Sequence, residues 1–219
     1  MTIRVVLVDD QELVRAGLAM LVDSQDDLRV VGQARDGVHA LEVLAAATCD
    51  VVLMDVRMPR MGGVEATRRL LDTPGFTARV IVLTTFDLDE HAFAALRAGA
   101  SGFLLKDAPA EDVLGAIRTV HAGDAVIAPS TTRRLLEHVA PTLPGGNDSD
   151  PLAQLTERER EVFLEIARGA TNADVCRRLY LAEATVKTHV GRILTKLALR
   201  DRVQIVILAY ETGIVRPAR

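Results

Sequence analysis

Short aliphatic runs alternate with amphipathic segments along the first 122 residues of this 219-residue chain. The five runs are rich in Val, Ile and Leu, and they span residues 3–8, 28–32, 51–54, 80–83 and 102–105. Between them, apolar positions recur every three or four residues, as in helices packed on a sheet. Continuous apolar strands that alternate with helices indicate right-handed crossovers and a sheet buried on both faces. The pattern predicts an α/β fold with a five-stranded, doubly wound parallel sheet, flavodoxin-like in arrangement.

From residue 151 onward the apolar positions follow a helical period throughout. Thr156, with Glu159 three residues later, is typical of a capping box, and Thr171 and Asp201 are candidate caps of two later helices. A helix predicted over residues 184–197 has one apolar stripe, formed by Val186, Val190, Ile193 and Leu197. Its other side is polar and basic. Together with the short helix before it, this pattern predicts a helix-turn-helix in a second, smaller all-α domain.

The segment between these two parts is poor in apolar residues. Residues 140–150 contain Pro, Gly, Asn, Asp and Ser and predict a flexible linker. Residues 130–139 predict one further helix before it. We therefore expect a first domain over residues 1–122, a linker with one helix and a flexible Pro/Gly-rich part over 123–150, and the helix-turn-helix domain over 151–219.

Composition and charge narrow the classes of function. Aromatic residues make up 3% of the chain and Trp is absent, which leaves little material for base-stacking or sugar-binding platforms. Residues 151–219 carry 12 Lys and Arg against 8 Asp and Glu, whereas the remaining residues carry 14 against 22. This net +4 fits a modest surface for phosphate contacts, although on charge alone ordinary solubility is the simpler explanation.

Two further observations concern the cellular compartment. Cys49 and Cys176 lie far apart among apolar neighbours, which favours buried thiols in a reducing compartment over a disulfide or a metal site. A basic and apolar leader and a membrane-length apolar run are both missing from the sequence. We expect a soluble, cytoplasmic protein that has no membrane partner.

Acidic residues follow two of the predicted strands. Asp9 and Asp10 come after residues 3–8, and Asp55 comes after residues 51–54. In an open parallel sheet the carboxyl ends of neighbouring strands meet at one edge, where ligands collect. Two carboxylates about 5 Å apart repel by roughly 3 kcal/mol at an effective dielectric constant near 20. A cluster therefore needs a cation or a raised pKa, and a hard divalent ion such as Mg²⁺ is the natural candidate for the cation.

These residues resemble a known combination of domains. The first 122 residues resemble a two-component receiver domain through Asp9, Asp10, residues 55–62, Thr84 with Thr85, and residues 103–107. Residues 152–215 resemble the LuxR-type helix-turn-helix through residues 155–161, Asn172, residues 185–189, 193–197 and 202–213. The two together are similar to the NarL/FixJ family of response regulators.

The resemblance implies a role for each receiver residue. Asp55 would accept a phosphoryl group from a sensor histidine kinase. Asp10, Asp55 and the backbone carbonyl of Arg57 would bind Mg²⁺, while Asp9 would contribute to the metal site largely through a bound water. Lys106 and Thr84 would contact phosphoryl oxygens, and Phe103 would rotate inward as the switch residue. No turnover enzyme is implied, apart from hydrolysis of the chain's own acyl phosphate.

For the second domain, the resemblance implies promoter DNA as the partner, with RNA polymerase as a further candidate. The residues it places at the DNA are Asn172, Thr185, Lys187, Thr188, His189, Gly191, Arg192 and Lys196. Gly191 departs from relatives that carry a longer polar side chain at this position. We therefore expect few direct base contacts from this helix and a larger contribution of DNA shape to sequence specificity. Ala182 stands where a capping Ser is common, and a missing cap costs about 1 kcal/mol.

A homodimer is expected on activation or on DNA, because one short recognition helix contacts too few bases. The helix predicted over residues 202–212 carries more apolar residues than one face needs, which is consistent with a dimer contact. The predicted function is a transcription regulator switched by phosphorylation. One alternative is a dimeric transcription factor that uses the receiver only as a scaffold, without phosphorylation. A haloacid-dehalogenase-type phosphatase is disfavoured because Arg57 replaces its second Asp.

Overall fold

The computed structural model describes residues 2–84, 90–122 and 151–215. The chain divides into two compact units, Met1–Val126 and Ile127–Arg219. The helix predicted over residues 130–139, the predicted flexible linker and Thr85 lie outside the described residues. No helix within the described ranges is long and apolar enough to cross a membrane.

The first unit contains the predicted five-stranded sheet. Every strand pair in it is parallel, and the strand order is β2-β1-β3-β4-β5. The strands are β1 Ile3–Val8, β2 Leu28–Ala34, β3 Val51–Asp55, β4 Arg79–Thr84 and β5 Gly102–Leu105. The helices are α1 Glu12–Asp23, α2 Gly37–Ala46, α3 Gly63–Asp72, α4 Glu90–Arg97 and α5 Ala110–His121. The α/β fold class is confirmed.

The sheet is buried because its strands are aliphatic on both faces. Val5, Val6, Leu7, Val80 and Ile81 have no exposed surface. One face packs on α1 and α5, whose apolar side chains continue the core formed by the odd-numbered residues of β1 and β3. At about 25 cal/mol per Å² of apolar surface, this burial is the main stabilising contribution to the unit. It holds the strand ends, and the residues that follow them, in one rigid frame.

The second unit has four described helices: α6 Glu157–Ala167, α7 Asn172–Leu179, α8 Glu183–Lys196 and α9 Arg202–Glu211. Both bonds of the predicted capping box at Thr156 and Glu159 are present, and Thr171 forms a second box with Asp174. Asp201 caps α9 by accepting from the backbone N–H groups of Val203 and Gln204. Ala182 offers no side-chain cap to α8, as predicted.

The helix-turn-helix is formed by α7 and α8. Tyr180, the residue after α7, adopts a left-handed conformation with φ 54°, which turns the chain toward α8. Val186 and Ile193 are fully buried on α8, while Val190 and Leu197 are only partly buried. The predicted apolar stripe is therefore the face that packs into the unit, chiefly against α6.

Most apolar residues of α9 are buried within the chain, so they are not available for the dimer contact expected from the sequence, whereas Leu208 is only partly buried. Val203, Ile205, Val206 and Ile207 are each at most 6% exposed. Their apolar surface is already buried within the chain, partly against α6. This helix thus has more apolar residues than one face needs because most of its circumference is buried within the unit.

Candidate functional site

Three carboxylates gather at the carboxyl edge of the sheet, as predicted. Because β1 and β3 are neighbours, Asp9 and Asp10 lie beside Asp55, and one oxygen of each lies within 4.8 Å of the others. Asp9 and Asp55 are buried, with 1% and 4% of their surfaces exposed, whereas Asp10 is exposed. The cluster is therefore open to solvent on one side only.

Lys106 brings a positive charge to this cluster from the end of β5. Its ammonium lies 2.6 Å from Oδ2 of Asp9 and 2.9 Å from Oδ2 of Asp55. The backbone N–H of Lys106 donates to the carbonyl of Thr84, which joins the ends of β4 and β5. The other oxygen of Asp9 accepts from the backbone N–H of Gln11. Three carboxylates and one ammonium leave a net charge of about −2 when all are ionised.

Burial and the neighbouring charges act in opposite directions on these groups. Burial raises the pKa of Asp55, and the hydrogen bond and charge of Lys106 offset this only in part. Burial also opposes the charged form of Lys106, but its hydrogen bonds to Asp9 and Asp55 outweigh that effect and raise its pKa. Lys106 is thus a fixed cation, and the Asp55 carboxylate is held at an energetic cost that a further cation would relieve.

The loop after β3 closes tightly on Asp55. The backbone N–H of Gly63 donates to the carbonyl of Val56 at 2.9 Å. A Cβ added to Gly63 would lie 2.1 Å from the carbonyl oxygen of Asp55, so only glycine fits there. The N–H of Arg57 points at Oδ1 of Asp55 from 3.4 Å, a long hydrogen bond. Arg57 thus lies at the cluster through its backbone.

The donor set fits a hard divalent cation. All three candidate side-chain ligands are carboxylates, which Mg²⁺ prefers, and a charge of −2 matches the charge of the ion. Asp10, on the open side, leaves room for the water molecules that Mg²⁺ usually keeps. Softer metals are disfavoured, because the described cluster contains neither His nor Cys.

The two remaining predicted receiver residues are both buried. Thr84 ends β4 and is 2% exposed, one position beyond the residue that pairs with Asp55. Phe103 on β5 is 3% exposed. The sequence interpretation expected this ring to move inward as part of a switch, but in this structure no movement is needed to bury it.

The predicted DNA-contacting residues divide into two groups. Thr185, Lys187, Thr188, Gly191 and Arg192 are all exposed on α8. Asn172, His189 and Lys196 are partly buried. Oδ1 of Asn172 accepts a hydrogen bond from Arg202, so this side chain contributes to joining α7 to α9.

Lys196 has a partner inside the unit. Its ammonium lies 2.6 Å from Oε2 of Glu159, a residue 2% exposed. The Glu159 side chain is turned inward by its capping box, although it lies in the charged stretch of residues 157–161. The hydrogen bond from Lys196, with that from the Thr156 backbone, lowers the pKa of Glu159 to about 2 despite its burial.

Most charged side chains around α8 are engaged within the unit. Lys187 pairs with Glu183 one turn earlier, and Arg158 donates to the carbonyl of Leu179 at the start of the turn. In the part of the chain that the structure describes, Arg192 is the basic residue of α8 without an ion pair, and it is exposed. Arg192 is therefore the most available cation on the recognition helix.

Comparison with known proteins agrees with this geometry. Residues 5–118 match the response regulator receiver domain family, and residues 153–209 match the luxR family of bacterial regulatory proteins. The chain belongs to the NarL/FixJ family of response regulators. It is a DNA-binding two-component response regulator, and such transcription factors are not metabolic enzymes.

Full-length relatives and a solved structure are similar to the whole chain. The transcriptional regulatory proteins YxjL and LnrK of Bacillus subtilis are each 40% identical to it, over 98% and 97% of this chain respectively and 98% of each relative. The crystal structure of ChrA, a response regulator in a haem-sensing two-component system, is 34% identical. It covers 98% of this response regulator and 99% of its own chain, with a TM-score of 0.52.

Three features of the two units were missed from the sequence. Gly63 was not recognised as a close-approach position, although the paired glycines at 62 and 63 before an amphipathic helix are a usable signal. Asp36 caps α2 by accepting from the N–H of His39, and an Asp directly before a helix is a cap signal. The ion pairs of Asp36 with Arg60 and of Glu159 with Lys196 could not be predicted from the sequence, because the two residues of each pair are distant along the chain.

Proposed function

We propose that this response regulator is switched by phosphorylation of Asp55 by a sensor histidine kinase, and that the switch controls binding to promoter DNA. The observation that carries the proposal is the cluster itself: a buried carboxylate at the end of β3, a fixed ammonium 2.9 Å away, and two further acids beside it. A phosphoacceptor needs a nucleophilic carboxylate and positive charge where charge builds on the transferred group.

Mg²⁺ is the cation that this proposal requires. Asp9, Asp10 and Asp55 would hold it with the backbone carbonyl of Arg57, and the ion would neutralise charge on the transferring phosphoryl group. The chain's own residues complete the site. Lys106 supplies a point charge to one phosphoryl oxygen, and the hydroxyl of Thr84 donates to another. Hydrolysis of the chain's own acyl phosphate would return the regulator to its resting state.

Thr84 and Phe103 would carry the signal to the surface. They lie on the neighbouring strands β4 and β5, two positions apart in register, since Thr84 pairs with Leu105 and Phe103 with Val82. A contact made by Thr84 only in the phosphorylated state biases the packing between β4, β5 and α4. Because Phe103 is already buried, the change would lie in how its neighbours pack around it.

On the DNA side, α8 would lie in the major groove. Lys187, Thr188 and Gly191 would face base edges, while Thr185, Arg192 and His189 lie nearer the phosphates. Asn172 and Lys196 would act by holding the helix. A homodimer on paired half-sites would supply the specificity that one helix lacks, and RNA polymerase is a candidate partner at the promoter.

The experiment compares promoter binding with and without a small phosphodonor, acetyl phosphate, in the presence of Mg²⁺. We expect the donor to increase the affinity of the parent chain and to leave an Asp55→Asn variant unchanged. Asp107→Asn is the matched control, because this exposed carboxylate is adjacent to Lys106 in the chain but lies outside the cluster. A donor response that survives in Asp55→Asn would contradict the proposal.

Solution mass distinguishes the scaffold alternative. Beryllium fluoride mimics a phosphoryl group on an aspartate, so with Mg²⁺ it should convert a monomeric parent chain to a dimer. A parent chain that is dimeric without the mimic, and whose DNA binding ignores acetyl phosphate, would support a receiver that serves only as a dimerisation scaffold.

A further inference from the structure

The loop that follows Asp55 is held at two places. At its base, Gly63 closes on the carbonyl of Val56, as described above. At its tip, it is attached to the loop between β2 and α2, because the backbone N–H of Gly37 donates to the carbonyl of Met61 at 3.0 Å. A Cβ added to Gly37 would lie 2.7 Å from that carbonyl oxygen, so the approach is as close as glycine allows. The segment that contains Arg57 lies between these two attachments.

Arg60 adds an ion pair at the same tip. Its Nε lies 2.9 Å from Oδ2 of Asp36, and a second guanidinium nitrogen contacts the same oxygen. Asp36 is 2% exposed, and its other oxygen accepts from the N–H of His39, so the carboxylate is fixed to the start of α2. The guanidinium is half exposed, whereas the Asp36 carboxylate is buried.

The backbone of Arg60 is in an unfavourable conformation. Its φ is 63°, the left-handed region that favours glycine and disfavours any residue with a Cβ. A residue in that region persists when surrounding contacts over-determine it. Here the backbone N–H of Met61 donates to the carbonyl of Pro59 at 2.7 Å, which closes a tight turn around Arg60. The ion pair with Asp36 adds a side-chain contact that a glycine at position 60 could not make.

We infer that Asp36 and Arg60 form a positioning pair that holds the loop after Asp55 in the geometry needed for a divalent cation. The inference rests on the proposed function, since it concerns the backbone carbonyl of Arg57 as a ligand. Arg60 contacts neither the carboxylate cluster nor Lys106. It acts through the loop, in the way that outer-shell partners orient metal ligands. The pair also connects β2, at one edge of the sheet, to the site at its centre.

Arg60→Gly tests this inference, because positioning and electrostatics predict opposite results. Glycine accepts the left-handed conformation without strain, so the variant should fold. Removing a cation near an acidic cluster would by electrostatics alone tighten Mg²⁺ binding. Loss of positioning weakens it, and we expect the dissociation constant for Mg²⁺ to rise by about tenfold, the lower end of outer-shell effects. Isothermal titration of the full chain measures this constant.

Asp36→Asn is the second variant, since asparagine retains the cap on α2 while losing the ion pair. This variant should also bind Mg²⁺ more weakly than the parent. The double variant should bind Mg²⁺ as tightly as either single variant, because the two residues act as a unit. Asp27→Asn is the matched control. It removes a bidentate ion pair with Arg118 and the same unit of charge, away from the loop, and it should leave Mg²⁺ affinity close to that of the parent.

The outcomes separate the two proposals. A parent chain that binds no Mg²⁺ would overturn the proposed function and this inference with it. A parent that binds Mg²⁺, together with an Arg60→Gly variant that binds it as tightly or more tightly, would overturn the inference alone. Equal weakening in Asp27→Asn would also overturn it, because the effect would then be one of charge.

Discussion

Lys196, in the last turn of the recognition helix, is held 2.6 Å from the buried carboxylate of Glu159 on α6. The two residues are 37 positions apart, and the contact crosses the interior of the helix-turn-helix unit. Glu159 also accepts from the backbone N–H of Thr156 through its capping box. One carboxylate thus organises the start of α6 and the end of α8, so it couples the stability of the unit to the orientation of the helix proposed to enter DNA.

This pair makes the stability of the second unit dependent on pH. Glu159 has a pKa of about 2 in the folded chain against an ordinary value of 4.5. A carboxyl whose pKa is lower in the folded than in the unfolded chain stabilises the folded state at pH values above its unfolded pKa. This stabilisation is lost as pH falls from about 4.5 to about 2. Because Lys196 is about a third exposed and screened by water, we expect a contribution on the order of 1–2 kcal/mol.

Glu159→Gln measures that contribution while keeping a residue that is compatible with the capping box. At pH 7 the variant should be less stable than the parent, and the difference should shrink steadily as pH falls from about 4.5 toward about 2. Both tyrosines of the chain, Tyr180 and Tyr210, lie in the second unit and Trp is absent, so tyrosine fluorescence during urea unfolding reports this unit. A difference that stays constant with pH would exclude the ion pair as its cause.

Arg192 and Lys196 should respond differently to salt when DNA is bound. Each phosphate contact adds about 0.9 to the slope of log affinity against log salt concentration. Arg192→Ala should reduce the magnitude of that slope by about 1 for each bound copy of the chain. Lys196→Met should weaken binding without changing the slope, because its ammonium is engaged by Glu159. Glu159→Gln is the matched control, because it removes the same ion pair and keeps the lysine. If Lys196 contacts phosphate instead, the magnitude of the slope will fall in Lys196→Met and stay at the parent value in Glu159→Gln.

The periodic features of both units could be predicted from the sequence, because burial imposes them residue by residue. The five strands, the three caps of the second unit and the acidic edge of the sheet were all identified from patterns of local spacing. In β3 the prediction ended one residue early, since Asp55 itself pairs with Leu83 on β4. A carboxylate at a strand end looks like a loop residue when only hydropathy is considered.

The features that could not be predicted depend on contacts between distant residues. Nothing in the local sequence distinguishes Lys196 paired with Glu159 from a lysine that faces phosphate. Arg60 has no intrinsic preference for a positive φ, so neither its tight turn nor its ion pair with Asp36 could be predicted from its own type. The apolar excess of α9 was interpreted as a dimer contact, because composition cannot tell a helix buried within the chain from one buried between chains.

Gly63→Ala should be one of the most damaging small substitutions in the first unit. The added methyl group would lie 2.1 Å from the carbonyl of Asp55 and 3.0 Å from the side chain of Met54, so the strand end or α3 must move. We expect a loss of about 3 kcal/mol. Gly115→Ala is the control, because a Cβ there meets nothing within 4 Å and should stabilise α5 by roughly 0.5–1 kcal/mol. Thermal unfolding followed by circular dichroism checks both, and equal effects would contradict the close approach.

Asp55→Asn should stabilise the first unit when Mg²⁺ is absent. Burial raises the pKa of Asp55 above its unfolded value, so its ionised form at pH 7 costs folding free energy, and the cost grows as pH rises through the folded pKa. Asparagine removes that buried charge, while Lys106 keeps its ion pair with Asp9. We expect a gain of about 1 kcal/mol at pH 7, within the range seen when buried charges are replaced by neutral groups.

The same comparison in Mg²⁺ should reverse the order. The parent chain would be stabilised by the bound ion, whereas the variant would lack one of its ligands and gain less. Unfolding of both chains at pH 7 and at pH 4, each with and without Mg²⁺, gives one difference in unfolding free energy between parent and variant for each of the four conditions. The stabilisation by Asp55→Asn should be smaller at pH 4, where the parent carboxyl is partly protonated. An Asp55→Asn variant less stable than the parent without Mg²⁺ would show that the ion pair with Lys106 outweighs the cost of burying the charge.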